Sequence, residues 1–180
     1  MKRQPGSAFK PISVYAAAVD GLHMSPTGLI DDTQRDFGGG YMPSNAGGNY
    51  HGVVTLRDAL ARSMNAAAVD LITKTGVGAA AEYAKRAGVS LDARDGNLSL
   101  ALGSLTYGLS PAELCAAYAP LANGGMAVEA RAVRRIEDAQ GRALYRAEAK
   151  KGSVMSPQSA YMITSMLESA AEWGTARALM

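Results

Sequence analysis

The sequence contains a single cysteine among its 180 residues, which excludes an internal disulfide framework. That residue lies in Ala112-Glu113-Leu114-Cys115-Ala116-Ala117-Tyr118, an apolar helical setting that predicts a buried, unreactive thiol. Histidine is scarce as well. His23 and His51 sit beside glycine- or proline-rich loop, without the spacing to acidic or cysteine partners that a metal site or a charge-relay triad needs. Both read as surface residues, and neither a metal nor a cofactor is expected. No run of eighteen apolar residues occurs, so no segment reads as membrane-spanning. The basic start Met1-Lys2-Arg3-Gln4-Pro5 leads into no apolar stretch of the kind a signal peptide carries. Charge of one sign is also lacking. Eighteen basic and sixteen acidic residues leave a net charge of +2, too little to imply a nucleic-acid partner. The one dense basic cluster, Arg131 to Arg135, alternates in the manner of a solvated strand. Internal repeats and low-complexity tracts are missing too.

What is present suits one globular domain: 48% hydrophobic and 19% charged residues, in a chain long enough to bury a core. Ser7 to Asp20 predicts a helix, with Ile12, Tyr15, Ala16 and Val19 on one face, Pro11 near its first turn and Gly21 as a stop. Residues 22–54 read as a glycine-rich loop, punctuated by Pro26, Pro43, Gly38-Gly39-Gly40 and Gly47-Gly48. At that length it is expected to be functional or draped over a surface. Residues 55–125 read as helical. Thr55 caps a helix that continues to Ser63, Asn65 breaks or bends it, and two further helices close at Gly76 and Gly88. Ser110-Pro111-Ala112-Glu113 starts the next, with a hydroxyl cap, proline at the first position and the acid three residues on. Residues 126–149 read as a β-hairpin turning at Asp138-Ala139-Gln140-Gly141. Ser156-Pro157 caps a last helix within 156–180, with Tyr161, Met162, Ser165, Met166 and Ser169 on related faces.

Two short strings could carry chemistry. In Ser7-Ala8-Phe9-Lys10, serine and lysine three apart share a helix face, with β-carbons roughly 5 to 6 Å apart. Lys10 acts as a base only when neutral, and burial together with the positive end of the helix dipole favours that form. The arrangement suits Ser7 attacking a carbonyl while Lys10 takes its proton. The second string, Ser63-Met64-Asn65, is the only Ser-x-Asn in the chain and offers a hydroxyl relay and an amide that can orient a substrate.

With their flanks, these strings resemble the transpeptidase domain of class A, bifunctional penicillin-binding proteins. The resemblance runs through Arg3 to Pro11, Val54 to Asn65, Ala101-Leu102-Gly103-Ser104, Tyr118 to Gly125, Arg135-Ile136-Glu137-Asp138 and Tyr161 to Leu167. It implies an α+β fold of the penicillin-binding transpeptidase and serine β-lactamase kind. It also implies Ser7 as acylated nucleophile, Lys10 as its base, Ser63 as proton relay to the leaving D-alanine amine, and Asn65 as substrate-binding amide. The implied partners are D-Ala-D-Ala stem peptides of peptidoglycan and β-lactam antibiotics. The implied location is the outer face of the bacterial cytoplasmic membrane, with an anchor outside this segment.

The family's third motif, Lys-Thr-Gly on an edge strand, matches Lys74-Thr75-Gly76 only in spelling. Its position nine residues after Asn65 reads as a helix C-terminus. The chain is therefore expected to be a fragment, predominantly helical, lacking most of the central sheet and inactive by itself. A D,D-carboxypeptidase, a serine β-lactamase of the same fold, and a non-catalytic β-lactam sensor or scaffold are the competing readings.

Overall fold

The computed structural model describes residues 1–148 and 151–179. The first helical segment is not the single α-helix expected over Ser7 to Asp20. A 3-10 turn over Gly6–Ile12 gives way to one α-helical turn, α1 (Val14–Ala16), and then to a π turn over Ala17–Gly21. Two features forbid a regular ladder. Pro11 has no N–H to donate, and Ser13 departs from helical geometry at φ −121°, ψ −95° while its hydroxyl donates to the Phe9 carbonyl at 2.9 Å. Every residue from Phe9 to Val19 is buried, so this segment is the axis of the core, enclosed on all sides.

Residues 22–54, read as loop, contain two strands. β1 (Leu29–Asp32) and β2 (Gly52–Thr55) pair antiparallel, with Leu29 opposite Thr55 and Asp32 opposite Gly52. The alternation was hidden because one inward position of Leu-Ile-Asp-Asp holds a carboxylate: Ile30 and Asp32 are buried, and Leu29 is exposed. α2 (Leu56–Ala61) follows, its Thr55 cap accepting from the Asp58 N–H. It stops at Ala61 instead of running to Ser63. Asn65, expected to break that helix, opens the next one, α3 (Asn65–Thr75). Gly76 at φ 86° then turns the chain into α4 (Val77–Arg86).

α5 (Pro111–Ala122) begins with a reciprocal capping box between Ser110 and Glu113. The segment expected as one hairpin over 126–149 is two nested pairs, with residues 149 and 150 outside the described ones. β3 (Met126–Val128) pairs with β6 (Lys151–Ser153), while β4 (Arg135–Glu137) pairs with β5 (Ala143–Arg146) across the turn. Three-residue strands such as Met-Ala-Val are too short to show a period, so only the pairing reveals them. α6 (Pro157–Glu172) completes the body, capped by Ser156.

The architecture is α+β with helices dominant. The strands among the described residues form three separate two-stranded sheets and no larger one. The core gathers Phe9, Tyr15, Ile30, Leu56, Leu71, Ile72, Leu100, Ile163 and Met166 around the first segment. Two local readings are corrected by this packing. α6 turns Ala160, Ile163, Met166 and Ala170 inward and leaves Tyr161 exposed. α5 packs Leu114, Ala117, Tyr118 and Leu121, which places Cys115 on the solvent side of the same helix.

Candidate functional site

The turn between α2 and α3 sets the site. Ser63 N–H donates to Leu60 O and Met64 N–H to Ala59 O, each at 2.9 Å, the pair of bonds that closes a helix in a Schellman turn. Glycine is the usual occupant of the left-handed position such a turn requires. Here it is Ser63, at φ 56°. A non-glycine residue at this position carries its hydroxyl where a glycine would carry nothing.

Lys10 reaches into that turn. It is 1% exposed, and its Nζ lies 2.8 Å from Ser63 O, 2.8 Å from Asn65 Oδ1, 3.2 Å from Ser63 Oγ and 3.2 Å from Met64 O. Asn65 Nδ2 donates to Ser44 O at 2.8 Å, which fixes the amide orientation and leaves Oδ1 for the lysine. Burial pushes the Lys10 ammonium down from the ordinary lysine range to about 7, against the opposing field of Asp32. Near neutral pH the amine is thus available. A neutral amine keeps two donors and one acceptor. It can keep donating to Ser63 O and Asn65 Oδ1, which leaves its lone pair to accept from a hydroxyl, so those two contacts serve both protonation states.

Ser7 is exposed, one turn before Lys10 on the 3-10 segment, where residues three apart eclipse. No hydrogen bond joins Ser7 to Lys10 among the described residues; the structure brings Lys10, Ser63 and Asn65 together and leaves Ser7 beside them. The turn bearing Ser7 is supported from below. Tyr118 Oη donates to Ala8 O at 2.6 Å, and Gly103, at φ 71°, lies so close that an added β-carbon would overlap Gly6 O. Lys74-Thr75-Gly76 is the far end of α3, roughly 16 Å of helix from Asn65. Lys74 is held there by an ion pair to Asp70 at 2.7 Å.

Sequence reasoning missed Asp32, Asn45 and His51. Asp32 is fully buried, and both its oxygens accept from Asn45 Nδ2 at 2.8 Å. His51 was expected to lack an acidic partner. Its backbone N–H and ring Nδ1 both lie 3.1 Å from Asp32 Oδ2, brought there by the pairing of β1 with β2. The strand pairing places Asp32 next to Gly52, nineteen residues ahead of His51, and no local spacing signals that. The inward polar position in β1 is the one clue the sequence offered. His23 is exposed. Among the described residues no three His, Cys, Asp or Glu side chains converge to hold a metal.

Comparison with known proteins gives a consistent picture. A family model described as the penicillin binding protein transpeptidase domain matches residues 2–179. Penicillin-binding protein 1F of Bacillus subtilis is 36% identical over 174 residues, covering 97% of this chain and 24% of that protein. Penicillin-binding protein 1A of Clostridium botulinum is 33% identical over 176 residues, covering 92% and 21%. The chain thus spans about a fifth to a quarter of these relatives. Among solved structures, penicillin-binding protein 1A from Haemophilus influenzae superposes with a TM-score of 0.80 at 25% identity, covering 97% of this chain and 32% of that one. Penicillin-binding protein A from Mycobacterium tuberculosis, solved as a ceftriaxone acyl-enzyme complex, has the same fold, with a TM-score of 0.82 at 23% identity over 95% of this chain and 43% of that one.

Proposed function

The chain belongs to the penicillin-binding protein transpeptidase family, and on that premise we propose that it carries the acyl-serine site of a D,D-transpeptidase that cross-links peptidoglycan stem peptides. The observation that carries this reading is the convergence of a buried lysine, with its pKa lowered to about 7, on Ser63 and Asn65 beside an exposed Ser7.

In this mechanism neutral Lys10 takes the proton of Ser7 as Ser7 Oγ bonds to the carbonyl carbon of the penultimate D-alanine. The proton passes through Ser63 Oγ to the departing D-alanine amine as the C–N bond breaks. An amine of a second stem peptide then attacks the acyl-serine, forms the cross-link and returns the proton by the same route. Asn65 holds the donor peptide amide through the face its two fixed hydrogen bonds leave open. A β-lactam offers a strained amide at the same place and acylates Ser7. The reaction belongs at the outer face of the bacterial cytoplasmic membrane, where its polymer substrate is, and the membrane anchor would lie outside these residues. No helix among the described residues is long and apolar enough to cross a membrane.

The family's Lys-Thr-Gly strand has no counterpart among the described strands. By the resemblance that strand supplies one oxyanion donor, and loss of one such donor costs about 3 to 4 kcal/mol of transition-state stabilisation. Expressed by themselves, these 180 residues are therefore expected to acylate at least a hundredfold more slowly than the full-length gene product, or not at all. Incubation with fluorescent penicillin, followed by mass spectrometry of the labelled peptide, tests both statements. The label is expected on Ser7 of the full-length gene product and to vanish in Ser7→Ala. A label on another residue, or none on the native protein, would refute the acyl-serine reading. Equal rates for the two lengths would refute the incompleteness of the isolated chain. Rapid turnover of a chromogenic cephalosporin would favour a β-lactamase instead.

A further inference from the structure

Met64, at the N-cap position of α3, makes no side-chain cap, yet the first three amides of that helix all have acceptors. They come from the segment 22–54. Asn45 Oδ1 accepts from Asn65 N at 2.6 Å and from Ala66 N at 3.2 Å, and Asp32 Oδ1 accepts from Ala67 N at 3.3 Å. Asn45 in turn spends its Nδ2 on both oxygens of Asp32 and on Asn49 O at 3.0 Å. The residue whose amide is fixed first in this chain is Asn65, the same residue whose Oδ1 meets Lys10. Asp32 thus stands behind the site at two points. Its carboxylate orients the asparagine that fixes Asn65, and its charge bears on Lys10.

We propose that Asp32 is a positioning residue of the acyl-transfer site: through Asn45 it fixes the Asn65 end of α3, and it presents a fixed negative charge to Lys10. This rests on the reading of Ser7 and Lys10 as nucleophile and base. A carboxylate at a helix N-terminus is favoured by the dipole, and one that is buried and held by five contacts gives a constant field with little freedom to reorient. Two other titratable groups bear on this pair. His51 touches Asp32 from the solvent side. Tyr15, fully buried beneath, is kept neutral by its burial and by the Asp32 charge. The partners of Lys10 at the start of α3 are uncharged.

The test is the pH profile of Ser7 acylation by penicillin in the full-length gene product, native and Asp32→Asn. In the native protein the rate is expected to climb with pH through the Lys10 value near 7. Removing the charge that holds Lys10 protonated should move that limb down by about one pH unit. Loss of the Asn45 orientation should also lower the plateau about tenfold to a hundredfold. A cap of purely structural importance would lower the plateau and leave the limb in place, so a folded Asp32→Asn protein with the native limb overturns the proposal. Should Asp32→Asn fail to fold, Asn45→Ala, which keeps the charge, takes its place. Because the charge is still there the limb should stay. A plateau at least tenfold lower per folded molecule, with the folded fraction read by circular dichroism, supports positioning through Asn45, whereas a native plateau, or a loss no larger than the unfolded fraction, overturns the proposal. If the native protein is not acylated at Ser7, it is the acyl-transfer reading that fails.

Discussion

A lysine held at 1% exposure is costly to keep charged, and at Lys10 that cost appears as a lowered pKa. Its ammonium loses most of its hydration and recovers part of it from two carbonyls, an amide oxygen and a hydroxyl. The folded value of about 7 lies below the unfolded value of 10.5. Between these values the unfolded chain binds the extra proton, so stability rises with pH there, and below about 7 the burial penalty is felt in full. Urea denaturation should therefore show the protein gaining up to about 2 kcal/mol between pH 7 and 9. Lys10→Gln should lack that gain. An identical pH dependence in the two proteins would mean that Lys10 is not buried as described. Ser63 shows a second residue-scale exchange: left-handed backbone is accepted at a residue whose hydroxyl lies 3.2 Å from Lys10 Nζ.

At the scale of elements, the Ser7 turn owes its place to close backbone approach. Gly103 lies under it in the left-handed region, and an added β-carbon would overlap Gly6 O and crowd Phe9 Cβ at 2.8 Å. Gly103→Ala therefore combines backbone strain with overpacking, and is expected to cost about 2 to 4 kcal/mol, read as a lower urea midpoint at unchanged slope. In full-length protein that stays folded, penicillin acylation of Ser7 should fall while the Lys10 limb of its pH profile stays put, because Lys10 lies deeper in the segment. Wild-type stability in Gly103→Ala would mean that the two turns are not packed together. α3 follows the same logic, since its N-terminal amides are satisfied by β1 and the loop after it and not by its own cap residue.

Across the whole molecule, several carboxylates tie distant elements together. Burial pushes Asp20 upward, but bonds from Ser156 N at 2.8 Å and Tyr83 Oη at 2.7 Å outweigh it and hold the carboxyl below its ordinary value, joining the first segment to α4 and α6. Asp95 is likewise held down, its desolvation outweighed by the Thr106 hydroxyl and N–H. The Lys2 ammonium and the Ser110 cap hold Glu113 at about 2. A carboxylate depressed on folding contributes stability above its unfolded value and loses it as pH falls toward the folded one. The thermal midpoint should thus drop steeply below about pH 4, and Asp20→Asn should make the drop shallower while lowering the midpoint at pH 7. A flat acid limb in the native protein would contradict these contacts.

The sequence by itself determined the class of fold, the helix starts at Thr55, Ser110 and Ser156, the stops at Gly76 and Gly88, and the strings that carry the family. The starts and stops depend on residues within a turn or two of each other, where caps and left-handed positions act locally, whereas the class of fold was legible through the resemblance those strings carry along the chain. Lys74-Thr75-Gly76 was legible as a helix end for the same reason. Tertiary structure decided the rest. It placed Asp32 and His51 together through strand pairing, turned Cys115 to solvent and Ala160 and Ile163 to the core, and ended α2 before Ser63. It also drew Asn45 from the middle of a glycine-rich stretch to the N-terminus of α3. These outcomes follow from which surfaces meet and which buried polar groups must find partners, and partners such as Asn45 and His51 for Asp32 or Asn65 for Asn45 lie several turns or more away along the chain, beyond the reach of any local pattern.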